Sequence, residues 1–459
     1  MQTTAVSNAV SVLDNPVRPY AWGSRTAIPE LLGVPPSGQP QAELWMGAHQ
    51  AGPSTAVSGG RPGSLLARIE ADPVAELGED VAAEFGPRLP FLLKVIAADA
   101  PLSMQAHPDA ARAVEGFVEE NARGIPLDAP ERNYRDTSHK PELLVALGPI
   151  DALCGFRAVP ETVRLLDALV SCAAEAPARS LEAKAATALR PHLAALRTRP
   201  DQDGLREVVT GLLTLPAERR SGLVSAVAAA CRRCAGLAGE SAGASGVGGT
   251  FAAELRTAAE LADAYPDDVG VVTALLLNLV HLEPGEAIFL PPGNLHAYLR
   301  GFAVEIMANS DNVLRLGLTP KHVDVPELLR VLDVVAGPVW MPRPRPAGPG
   351  GSDRAAASGP VGGSGGSAES VEEVYRAPVR EFRLSRLRLV DPAPIRLDAG
   401  GPQILLVVDG EITVTATDAA GHAGRPVRLL RGGSAWVPAG AALRVAGTGT
   451  AFRATTNLR

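Results

Sequence analysis

Apolar positions change rhythm along this chain, and each rhythm predicts a different kind of element. Up to residue 157, short apolar runs alternate with Gly/Pro turns, as in LPFLLKVIAADAPLSMQAHPD at 89–109, which predicts strands with some helix. From 158 to 264 the apolar spacing becomes three and four residues. VRLLDALVSCAAEA, SLEAKAATALRPHLAALR, GLREVVTGLLTL, SGLVSAVAAACRRCAGLA and FAAELRTAAELADAY predict a run of amphipathic helices. Strand rhythm resumes over 277–307, with turn chemistry at 283–286 and 291–294. The stretch 342–370, PRPRPAGPGGSDRAAASGPVGGSGGSAES, has too few apolar side chains to fold alone. Beyond it, ILLVVDGEITVTA and SAWVPAGAALRVA read as strands again. The expected layout is mainly β with a helical insert. A first β domain comprises 1–157 and 265–341, a helical domain 158–264, a linker 342–373 and a second β domain 374–459.

The two β regions echo each other. Gly285 opens the frame G-x5-P-x-G-x2-H, which runs through Pro291 and Gly293 to His296. Gly432 opens the same frame through Pro438 and Gly440, with Leu443 where the histidine would stand. In a double-stranded β-helix this frame is strand, tight turn, strand, with the last residue aimed inward. It resembles the second conserved motif of cupins. The first barrel is therefore expected to hold a metal and the second is not.

Composition sets limits on function. The chain has 459 residues, 43 basic and 50 acidic side chains and a formal charge of −7, without the basic excess of a nucleic-acid-binding protein. No run approaches the roughly 20 apolar residues of a membrane span. The first thirty residues lack a basic start followed by an apolar core, so the expected location is the cytoplasm. Cys154, Cys172, Cys231 and Cys234 are not expected to form a disulfide framework. The pair Cys231 and Cys234 offers half of a zinc site and reads as two small helix residues in a reducing compartment.

Candidate chemistry lies in three places. Gln105 and His107 stand two apart in SMQAHPD, on one side if that segment is a strand. With Glu142 and His296 they make a set of two imidazole nitrogens and two oxygens, which suits zinc, with manganese or iron also compatible. Lysine is rare, at four residues against 39 arginines. Lys94, Lys140 and Lys321 fall beside these candidates or in the segment after His296. A compact ammonium suits phosphate contacts or proton transfer. Finally, VEIMANSDNVLRLGLTPKHVD brings Glu305, Asp311, Arg315 and Lys321 together directly after an apolar strand. That run is either a solvated loop or a loop laid over a barrel mouth.

Together these segments resemble the type I phosphomannose isomerases, a family of zinc-dependent cupins. The matches are YAWGS (20–24), AELWMGAH (42–49), LPFLLKV (89–95), PLSMQAHPD (101–109), SHKPELLVAL (138–147), LCGFR (153–157), LEPGEAIFLPPGNLHAYL (282–299) and VEIMANSDNVLRLGLTPKHVD (304–324). The resemblance implies a cupin catalytic domain, a helical domain and a second, degenerate cupin-like barrel. It implies one zinc ion per chain held by Gln105, His107, Glu142 and His296, with Arg315, Lys140 and Glu305 in catalytic positions. Ser103, Lys94, Lys321 and Asp311 would face the substrate. The implied reaction interconverts mannose 6-phosphate and fructose 6-phosphate in a monomer without nucleic-acid or membrane partners. Glu305, Lys140 and His139 all remain open as the general base. A non-catalytic sugar-phosphate-binding cupin and an isomerase of a related phosphosugar stay as alternatives.

Overall fold

A computed structural model describes residues 10–240, 247–347, 369–418 and 421–458. Most of the expected linker, 348–368, lies outside the described residues. Among the described residues the strands form two antiparallel sheets, of nine and eleven strands, with the helices inserted between strands of the first. This matches the mainly β fold class with a helical insert.

The nine-stranded sheet carries all the candidate chemistry. Its centre is the long strand His296–Ala308, paired with Glu142–Phe156 on one side and Phe91–Ala98 on the other. Glu43–Met46 extends the sheet beyond Phe91–Ala98, and Met104–Ala106 bridges His296 to the short strand Leu314–Gly317. The strand Phe91–Ala98 is buried along its whole length, with Lys94 the one break in the apolar run LPFLLKVIAA.

The helices Val159–Ala174, Leu181–Thr198, Gln202–Leu213, Ala217–Glu240 and Ala252–Ala264 fall where the three-and-four spacing predicts. Ser180 and Asp201 cap two of them through side-chain oxygens on backbone N–H groups. Their apolar faces share one core with Met104, Ala106, Leu314, Leu316 and Leu318, so the helical region packs directly behind the candidate site. One expectation is corrected here. Cys172 and Cys234 are joined in a disulfide between the first and fourth of these helices, while Cys154 and Cys231 are free and buried. The CxxC spacing hid this because Cys234 pairs across helices rather than with its neighbour.

The eleven-stranded sheet belongs mostly to the C-terminal region, but the strand Ser11–Asp14 pairs with Ser434–Val437 and with Thr55–Ser58. The N-terminal segment, grouped by sequence with the first β region, thus completes the second sheet. Leu44, Met46 and Val304 from the first sheet share a core with Tyr375, Phe382, Ile404 and Trp436 from the second.

The repeated frame has the same backbone in both barrels. Gly285, Gly293, Gly432 and Gly440 all adopt φ between 79° and 89°, where a side chain is strained. Each frame runs from a short strand (Ala287–Leu290, Ser434–Val437) through the turn into a long one (His296–Ala308, Ala442–Thr455). His296 and Leu443 are both buried, but Leu443 sits in an aliphatic core with Leu397, Leu405 and Val445. The second frame is filled by aliphatic side chains where the first presents a histidine.

Candidate metal centre and substrate pocket

Three strand ends converge on one buried point. Glu142 is the first residue of Glu142–Phe156, His296 the first of His296–Ala308, and His107 follows directly on Met104–Ala106. Their ligand-capable atoms all lie within 4.8 Å of one another, and each residue is at most 2% exposed. His107 Nε2 stands 3.3 Å from Glu142 Oε1, and His296 Nε2 stands 3.4 Å from Glu142 Oε2.

The other ring nitrogens fix the tautomer. His107 Nδ1 lies 2.7 Å from the Asn312 carbonyl oxygen, and His296 Nδ1 lies 3.1 Å from that of Asn294. A carbonyl only accepts, so Nδ1 carries the proton in both rings and each Nε2 presents a bare lone pair. Burial, reinforced by the Lys140 charge, pushes the His107 imidazole down to about 4, so the ring is neutral at physiological pH. His107 Nε2, His296 Nε2 and Glu142 Oε2 are buried without a hydrogen-bond partner. Orphaned buried polar atoms are costly. Three of them, two neutral imidazoles and a carboxylate aimed at one point, fit a divalent metal ion. Gln105 lies opposite both His296 and Arg315 in the strand register and accepts a hydrogen bond from Ser103 Oγ at 3.4 Å.

A pocket of about 290 Å³ opens in front of this point. Ser103, Gln105, Lys94, Lys140, Glu142, Glu305, Asp311, Arg315 and Lys321 all contribute to its wall, so the structure gathers every pocket residue the sequence nominated. Their charges divide into two groups. Lys94 Nζ lies 3.4 Å from Glu305 and 3.6 Å from Glu43, and Lys140 Nζ lies 3.4 Å from Glu142. Although burial alone would depress it, these two carboxylates hold the Lys94 ammonium above its ordinary pKa. Burial, with Glu142 nearby, raises the Glu305 carboxyl, whose Oε1 accepts a 2.8 Å hydrogen bond from Tyr298. In contrast, the side chains of Arg135, Arg315 and Lys321 share the wall without an ion-pair partner among the described residues. Burial lowers both Arg315 and Lys321, and the Arg135 charge lowers them further. Arg315 Nε is itself buried and unbonded. This pole awaits an anion.

Two nominated groups already have partners. His139 Nε2 contacts Glu381 of the C-terminal region at 2.6 Å rather than the pocket. Asp311 pairs with His49 at 3.2 Å, which despite burial holds the Asp311 carboxyl down to about 2. His49, buried behind Asp311, is therefore a supporting residue. The sequence reading also missed Glu43, Trp45, Tyr298 and Arg135. Glu43 and Trp45 alternate along one strand and Trp45 donates to Glu43 at 2.5 Å, so a period of two within AELWMGAH was the available signal. Arg135 had no such signal, because it reaches the wall from a loop. Asn312 ties that loop down, accepting from the Arg135 N–H at 2.7 Å and donating to the Ser138 carbonyl at 2.8 Å.

Known proteins resemble this chain in sequence and fold. The description "Phosphomannose isomerase type I, catalytic domain" matches residues 10–159. Mannose-6-phosphate isomerase of Escherichia coli (strain K12) is 42% identical over 328 residues, 71% of this chain and 75% of that one. The Bos taurus protein of the same name is 32% identical over 450 residues, 92% of each chain. A mutant phosphomannose isomerase from Salmonella typhimurium superposes with a TM-score of 0.79 at 34% identity, covering 98% of this chain and all of that one. A zinc-bound mannose 6-phosphate isomerase gives 0.77 at the same identity and coverage. With relatives more than 30% identical across two thirds or more of both chains, this chain belongs to the type I phosphomannose isomerase family.

Proposed function

We propose that the protein is a zinc-dependent isomerase that interconverts mannose 6-phosphate and fructose 6-phosphate. The observation that carries this reading is the orphaned trio His107 Nε2, His296 Nε2 and Glu142 Oε2, facing a pocket whose far wall is cationic and unpaired. His107, His296, Glu142 and Gln105 would hold one zinc ion. Zinc bound there supplies a Lewis acid that polarises the sugar's O1 and O2.

The remaining work falls to the chain. Isomerisation moves the C2 hydrogen to C1 and the O2 proton to O1, through an enediolate. Glu305 is the group we assign to carry the carbon-bound proton. Of the three candidates, His139 is engaged with Glu381 and Lys140 with Glu142, whereas Glu305 is 3% exposed and lines the pocket. Tyr298 orients its carboxyl, and the Lys94 charge favours the ionised form needed to accept a proton. Arg315, opposite Gln105 in the register, stabilises the negative charge on the enediolate while remaining protonated. Lys94 thus serves Glu305 rather than the phosphate.

The phosphate dianion is assigned to Arg135 and Lys321, on the unpaired side of Arg315. A charge-assisted contact is worth about 1.5–3 kcal/mol, roughly 10- to 100-fold in affinity. Arg135→Gln is therefore expected to raise KM by that factor with kcat changed only a few-fold. An unchanged KM would remove Arg135 from the phosphate site. Among the described residues no helix is long and apolar enough to cross a membrane.

The direct test is to add mannose 6-phosphate to purified zinc-loaded protein and follow fructose 6-phosphate. Turnover supports the proposal. Saturable binding without turnover would identify a sugar-phosphate-binding relative, and turnover of only another phosphosugar would reassign the substrate.

A further inference from the structure

The turn that follows the helix Ala252–Ala264 has no part in the chemistry described so far, yet it sends one carboxylate to the residue just after the strand that carries Arg315. Asp268 sits in the turn between the helices Ala252–Ala264 and Gly270–Ala274. Its Oδ1 accepts from the Gly270 N–H and its Oδ2 from the Leu318 N–H, both at 2.7 Å. Leu318 follows the strand Leu314–Gly317 and has φ of 56°, the one positive value at a non-glycine among the described residues. A leucine is disfavoured there, so something outside its own backbone must hold it.

Two glycines clear the space for that carboxylate. A Cβ on Gly317 would lie 2.3 Å from Asp268 Oδ1, and one on Gly270 would lie 2.9 Å from it. Thr319 and Pro320 border a groove of about 610 Å³, shared with Tyr265 and Asp268, so close packing does not hold that side of the turn. The turn lies three residues after Arg315 and three before Lys321, the two cations it separates in sequence and that share the pocket wall.

We propose that Asp268 is a positioning residue. It latches the left-handed turn at Leu318 and thereby sets where Arg315 and Lys321 present their charges to the sugar phosphate. The turn that leads out of the helical domain thus contributes to the site through one carboxylate. This inference rests on the reading of the pocket as a phosphate site.

Asp268→Asn keeps one acceptor oxygen and replaces the other with a donor, while Asp268→Ala removes both. In zinc-loaded protein, KM for mannose 6-phosphate is expected to rise about threefold for D268N and about tenfold for D268A, with zinc content unchanged. The dissociation constant of inorganic phosphate, measured by calorimetry without turnover, should rise in the same order. A merely structural role would lower Tm and leave KM and phosphate affinity of the folded protein at wild-type values, and that result would overturn the proposal. If D268A does not fold, D268N alone decides between these outcomes. Wild-type protein that binds phosphate but does not turn over mannose 6-phosphate would count against the isomerase reading, and the phosphate measurement would still judge the latch.

Discussion

His296→Ala is expected to lose bound zinc and isomerase activity together, with kcat/KM lower by at least about a thousandfold. The ring supplies one of three orphaned buried atoms around one point, and its Nδ1 is already committed to the Asn294 carbonyl. Removing it leaves two protein ligands from the converging set and Gln105, and a Lewis acid's contribution of several kcal/mol goes with the metal. Metal analysis on the purified variant, beside the rate assay, checks both halves. Zinc content equal to wild type would remove His296 from the ligand set, whatever happened to the rate. His296→Gln is a useful companion, because it keeps an oxygen or nitrogen near the same place without the fixed tautomer.

Arg315→Ala is expected to separate the two losses. Arg315 lies across the register from Gln105 but offers no lone pair to a metal, so zinc should remain at wild-type content. Its guanidinium faces the place where enediolate charge develops, in a pocket sheltered enough that burial already lowers its pKa. Loss of one such preorganised donor costs about 10²- to 10³-fold in kcat. Arg315→Lys should recover only part, since an ammonium cannot reproduce the planar fork. Near-normal kcat in Arg315→Ala would end the catalytic assignment and leave Arg315 to the phosphate.

Much of this was legible in the residues. The repeat frame at Gly285 and Gly432 announced the paired turns, because a left-handed glycine before and after a short strand leaves a fixed spacing. The expectation that Gln105 and His107 share one side of a strand is met only in part, because the strand Met104–Ala106 ends just before His107. Glu305 shows where that kind of counting fails. It lies an odd number of residues from Tyr298 yet bonds to it, because register shifts at Tyr298/Arg300 and Gly301/Ala303 reset the alternation along His296–Ala308. Contacts between distant segments were equally invisible. Nothing local marks His49 as the partner of Asp311, Glu381 as the partner of His139, or Cys172 as the partner of Cys234. The pairing of Ser11–Asp14 with Ser434–Val437 is of the same kind, set by tertiary closure and not by any nearby pattern.

The central claim is that one metal ion at the His107–Glu142–His296 point enables the isomerisation. The most direct test strips the protein with a chelator and returns zinc in measured steps while fructose 6-phosphate formation from mannose 6-phosphate is followed. The account predicts negligible turnover in the stripped protein and a linear rise that breaks sharply at one zinc per chain. Full activity in the stripped protein, or a rise that continues past one equivalent, would contradict it.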